Sequence, residues 1–230
     1  MELKNITERF DDYKEERSKL NKIKIQKYEN NIKTNNFVEY SKLLSISNTI
    51  YYNGNIEHLF DSFLLFISIR YPMRLSLGNT HVVYSRELID SNKNYLLIED
   101  TRFSFVMNNF KNVKSLGSYE FEIDQSHIFE ISKYLKTLTN IIKNPEFLLY
   151  RVYRNEILPY TTPVQYCNRI KKLIKDEIGT IITMNDIRKS YETNLVNSEN
   201  YKSMTNSEKA KEHKKLLHSH ISAIQCYTKI

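Results

Sequence analysis

The period of the apolar pattern changes twice along this chain, and that restricts the folds open to it. From Phe37 to Ile50 and from Ile56 to Ile69 the apolar spacing is helical. Tyr71-Pro72 stops the second run, because proline disfavours a helical residue before it. Short β-branched or aromatic runs follow: His81 to Tyr84, Tyr95 to Glu99, Phe103 to Met107 and Tyr119 to Ile123. Asn108 to Gly117 reads as the hairpin connection between the last two. After His127 the helical period returns, over Ile128–Ile142, Pro163–Ile178, Asn185–Leu195 and Lys209–Tyr227, with Gly179 closing one helix. Helices, a small antiparallel sheet, then helices make an α+β fold that is mainly α. Only four glycines and four prolines in 230 residues argue against a turn-dense β sandwich.

Residues 1–45 read as a basic helical arm, with Asn30 to Asn36 as a soft linker, and residues 46–230 as the main domain. The polar stretch Val196 to Lys211 reads as a mobile surface loop. A net charge of +7 and a pI near 9.1 favour an acidic partner. The two cysteines make no disulfide scaffold, and no Cys/His spacing resembles a zinc site. The charged N-terminus excludes an ordinary secretory signal. The longest apolar run, Phe63 to Ile69, is too short to span a bilayer. The expectation is an intracellular protein with no membrane partner.

Two segments near the C-terminus carry the chemistry. In Thr183-Met184-Asn185-Asp186-Ile187-Arg188, Thr183 and Asp186 have the spacing of a capping box, which makes Thr183 the N-cap. Asn185 and Arg188 then lie one turn apart at a helix end whose free N–H groups suit a phosphate. In Leu216-Leu217-His218-Ser219 … Tyr227, the histidine and tyrosine stand nine apart, on opposite sides of any unbroken helix. For both to reach one phosphate the chain must break between them, and Ser219 and Ser222 are suitable caps for a second short helix. Taken singly, the first segment is also an ordinary capped surface helix and the second an ordinary amphipathic one.

Together, in this order, the two segments resemble the tyrosine recombinase family, which includes integrases of viruses and other mobile elements. Asn185-Asp186-Ile187-Arg188 resembles the family's His-x-x-Arg, with asparagine for histidine. Leu216-Leu217-His218-Ser219 resembles Leu-Gly-His-Ser, with leucine for glycine, and Tyr227 has the family's spacing. By the same resemblance Lys111, with Lys114 as competitor, is the hairpin lysine, and Arg74, with Arg70 as alternative, is the first arginine. Leu77 stands where an acid often follows that arginine. The resemblance spans roughly residues 50–230.

It implies a tyrosine-recombinase-like catalytic domain that acts on double-stranded DNA without metal or cofactor, wherever the target DNA lies. A homo-oligomer on DNA is the family's arrangement, although only Thr228, Lys229 and Ile230 follow the tyrosine here. Tyr227 would attack the scissile phosphate and form a 3′-phosphotyrosyl link. Arg74 and Arg188 would clamp its nonbridging oxygens, Lys111 would protonate the leaving 5′ oxygen, and His218 would bind the phosphate or position the nucleophile. Asn185 can donate a hydrogen bond but cannot act as a general base. A type IB-like topoisomerase and a catalytically impaired DNA-binding protein are the alternatives.

Overall fold

The computed structural model describes residues 18–19, 37–48 and 54–217. The chain divides into two units, Met1–Phe37 and Val38–Ile230. The named helices and strands all belong to the second. The first of them, α1 (Tyr40–Ser45), packs on later helices of that unit, and Leu43 is fully buried.

Helix α2 (Ile56–Arg70) forms the centre. Its apolar residues run almost all round it, from Leu59 to Ile69, and a helix of that kind is stable only when neighbours cover every face. Asn55 caps it, its side-chain oxygen accepting from the N–H groups of Glu57 and His58. The cover comes from α1, from α5 (Pro163–Ile178), from α6 (Met184–Asn197) and from strand β5 (Tyr150–Tyr153). Phe63 stacks on Tyr134 of α4 (Gln125–Ile141), with ring centroids 3.5 Å apart. The Tyr166 hydroxyl meets Ser68 Oγ at 2.9 Å, so the polar groups this packing buries stay paired.

After α2 the chain turns through Tyr71-Pro72 into a 3₁₀ helix, Arg74–Asn79, and then enters the larger sheet. Its strands lie in the order β1 (Thr80–Val83), β2 (Asn94–Glu99), β3 (Arg102–Met107), β4 (Tyr119–Glu122). The expected sheet was antiparallel; the observed one is mixed. β1 runs parallel to β2, because the segment between them does not fold back as a hairpin but crosses over through a short 3₁₀ turn, Arg86–Leu88. β2, β3 and β4 are antiparallel neighbours, and the β3–β4 connection is the expected hairpin, with one helical turn, α3 (Val113–Leu116), inside it. A second hairpin pairs β5 with β6 (Glu156–Pro159).

The stretch expected as a mobile loop is helical. α6 continues to Asn197, α7 spans Glu199–Ser203, and α8 spans Asn206–Lys215. Serine and threonine caps make this possible in so polar a sequence. Ser198 caps α7, and Thr205 with Glu208 forms a capping box at the start of α8. Tyr201, His213 and Glu192 then lock the three helices together. The Tyr201 hydroxyl lies 2.6 Å from His213 Nε2, and His213 Nδ1 lies 3.2 Å from Glu192 Oε2. The histidine and glutamate side chains are wholly buried. Among the described residues no helix is long and apolar enough to cross a membrane.

Candidate functional site

Arg188 lies on α6, whose start is fixed by the expected capping box. Thr183 Oγ1 accepts from the Asp186 N–H, while the Asp186 carboxylate accepts from the Thr183 N–H at 2.8 Å. One turn into the helix, Arg188 points inward and is only 1% exposed. Its Nη1 donates to the carbonyl of Pro72 at 3.1 Å. That bond ties α6 to the base of the 3₁₀ helix that Arg74 opens. Asn185 is exposed on the first turn of α6, so the boundary between the buried and open faces runs between it and Arg188.

The alternatives for the other two cations have structural work elsewhere. Arg70 Nη1 donates to the Ser47 carbonyl at 3.0 Å and to Ser47 Oγ at 2.9 Å, with its guanidinium 4.1 Å from the Phe66 ring centre. It fastens the end of α1 to α2. The Lys114 ammonium sits 4.5 Å from the centre of the Tyr119 ring. Lys111, by contrast, lines an open cleft of about 530 Å³.

Three distant parts of the sequence meet at that cleft. Ser76 comes from the 3₁₀ helix opened by Arg74, Lys111 from the β3–β4 hairpin, and Leu217 from the chain just past α8. Leu217 immediately precedes His218, which lies outside the described residues, as do Tyr227 and the expected break between them. At Leu217 the chain has φ +58, the left-handed region usually reserved for glycine or asparagine, and the side chain is only 2% exposed.

Two further groups line the cleft that sequence reasoning did not single out: His81 on β1, and Lys93 just before β2. Burial, and then the charge of Lys93, hold the His81 imidazole below its ordinary range, although Glu146 lies 3.3 Å from its Nδ1. No local signal marks Lys93 among the chain's 34 lysines and arginines. With two ammonium groups, an imidazole and asparagine amides, the cleft presents hydrogen-bond donors and positive charge, which suits an anion. Among the described residues no group of three or more His, Cys, Asp or Glu side chains is arranged to hold a metal ion.

No family model, curated protein or solved structure matches the chain.

Proposed function

We propose that this protein cleaves and rejoins DNA strands at specific sites, as a tyrosine-recombinase-like enzyme acting through Tyr227. One observation carries the reading. The 3₁₀ helix opened by Arg74, the hairpin lysine Lys111 and the residue before His218 border a single cleft, and Arg188 is hydrogen-bonded at the base of that same 3₁₀ helix. The left-handed backbone at Leu217 adds weight, since the resemblance puts glycine there.

In this reading the Tyr227 phenol oxygen attacks the scissile phosphorus as the bond to the 5′ oxygen breaks. Arg74 offsets the charge that builds on the nonbridging oxygens, while Arg188, buried and bonded to the Pro72 carbonyl, holds the base of the 3₁₀ helix that Arg74 opens. Lys111 gives a proton to the departing 5′ oxygen, and the 3′-phosphotyrosyl link keeps the bond energy for rejoining, which reverses each step. One observation favours a second reading: Asn185 offers a neutral amide where the family has a histidine. Loss of a general base is worth about 10²–10⁴ in rate, so a protein that binds DNA without cutting it is the alternative.

The test is to incubate the full chain with a pool of nicked duplexes of randomised sequence and recover covalent protein–DNA adducts. Adducts formed by the wild type and abolished by Tyr227→Phe are the expected result. DNA binding without an adduct in either protein overturns strand transfer and leaves the binding protein. Relaxation of a supercoiled plasmid without sequence-defined crossover identifies a topoisomerase instead.

A further inference from the structure

We infer that Asn94 is a positioning residue of the cleft: its carboxamide clips the hairpin carrying Lys111 to the 3₁₀ helix opened by Arg74, and so sets where the lysine ammonium stands. The inference rests on the strand-transfer reading above. Asn94 opens β2 and is 4% exposed. Its Nδ2 donates to the carbonyl of Asn109 at 2.7 Å and to that of Ser76 at 3.3 Å. Its Oδ1 accepts from the N–H groups of Asn108 at 3.0 Å and Asn109 at 2.7 Å. These four bonds use the whole capacity of a carboxamide, two donors and two acceptor lone pairs. Ser76 stands two residues after Arg74, and Asn109 two before Lys111.

The register explains why a side chain is needed here. Asn94 pairs with Met107, the last residue of β3, so the sheet's own ladder ends one residue before Asn108. Beyond that point the carboxamide takes over the role of a strand, bonding the backbone of Asn108 and Asn109 as they leave the sheet. Two more bonds run the same way: Asn109 Nδ2 donates to the Asn92 carbonyl at 3.0 Å and Asn108 Nδ2 to the Asp90 carbonyl at 3.2 Å. Only an amide can do this. Aspartate would keep the acceptor and lose both donors, leaving the Ser76 and Asn109 carbonyls facing a carboxylate. Alanine would lose all four bonds.

A residue that merely supports the fold and one that places Lys111 are separated by the leaving group. A lysine that protonates a 5′ oxygen is dispensable when that oxygen is sulfur, because a thiolate departs without a proton. The experiment uses the full chain and the duplex sequence recovered from its covalent adducts, made with either bridging oxygen or bridging sulfur at the scissile 5′ position. Lys111→Ala is the reference, and Asn94→Asp and Asn94→Ser are the probes, each checked for a native thermal melt. On the oxygen linkage the Asn94 variants are expected to form adducts about 10–10²-fold more slowly than wild type, the scale of an ångström-sized misplacement. On the sulfur linkage most of that loss disappears, as it does for Lys111→Ala. An equal loss on both linkages in a folded variant overturns the positioning role and leaves strand transfer standing. Failure of the wild type to yield any adduct from the duplex pool, which leaves no such sequence, overturns strand transfer itself, and this inference with it.

Discussion

Leu217 offers a sharp test of the geometry at the end of α8, because two opposing effects act on one residue. Its side chain is buried in the main core, so Leu217→Ala is expected to cost about 2–5 kcal/mol, the usual range for a buried leucine cut to alanine. Its backbone is left-handed, and an L-residue there carries about 1–2 kcal/mol of steric penalty that glycine does not. Glycine in turn gives the unfolded chain more freedom, worth roughly 0.4–1 kcal/mol against it. The difference leaves Leu217→Gly more stable than Leu217→Ala by up to about 1.6 kcal/mol, about 0.8 kcal/mol at mid-range. Ala210, inside α8 on ordinary helical backbone, is the control, and there Ala210→Gly should cost about 1 kcal/mol. The order of alanine and glycine therefore reverses between two sites on one short segment. Urea denaturation at constant m-value reads each difference directly, and thermal melts should separate the two Leu217 variants by about 1–4 °C. Alanine proving the more stable residue at 217 would refute the left-handed backbone, and with it the likeness to the glycine of the family motif.

Two further outcomes follow from the packing. Glu192→Ala takes from the buried His213 Nδ1 its contact with the carboxylate, so a loss of about 1–3 kcal/mol is expected in urea denaturation, the scale for a buried polar group that loses a partner; a loss under about 0.5 kcal/mol counts against the pairing. His81 is lowered by burial and the charge of Lys93, and His127 by burial and the charge of Arg70. Both therefore bind protons more readily in the unfolded chain, whose imidazoles titrate near about 6.5. Stability should be complete above that pH and fall as the pH drops below it toward the folded-state values. Melting temperatures measured from pH 8 to pH 5 check this, and His127→Asn should flatten the acid side; an unchanged slope removes His127 from the account.

Much of the fold was legible because helices and caps announce themselves locally. The runs that became α2, α4, α5 and α6 carry helical spacing. Gly179 adopts the left-handed C-cap expected of it, with φ +72, and Thr183 and Asp186 bond reciprocally. Three failures have separate physical causes. The direction of β1 depends on how the chain crosses between strands, which no strand's own composition records. The β5–β6 hairpin turns through Arg154 and Asn155, both at positive φ, without the glycine that usually signals such a turn. Val196–Lys211 lacks an apolar period and owes its helices to caps and to one buried tyrosine.

The site divides in the same way. Arg188 and Lys111 could be named from the resemblance, but the burial of the one and the cleft beside the other are products of tertiary packing. Lys93, His81 and Asn94 have no motif at all. Their chemistry appears only once β1, β2 and the β3–β4 hairpin are side by side.

The buried contact among Glu192, His213 and Tyr201 also governs how the domain can come apart. Peeling α8 away would bring water to a carboxylate and an imidazole at once, so partial release gains little and the helix should detach as a unit rather than unravel turn by turn. Amide exchange along α8 would then slow uniformly instead of grading toward one end. The segment that presents Leu217 to the cleft is in this sense a latch with two positions, seated or gone.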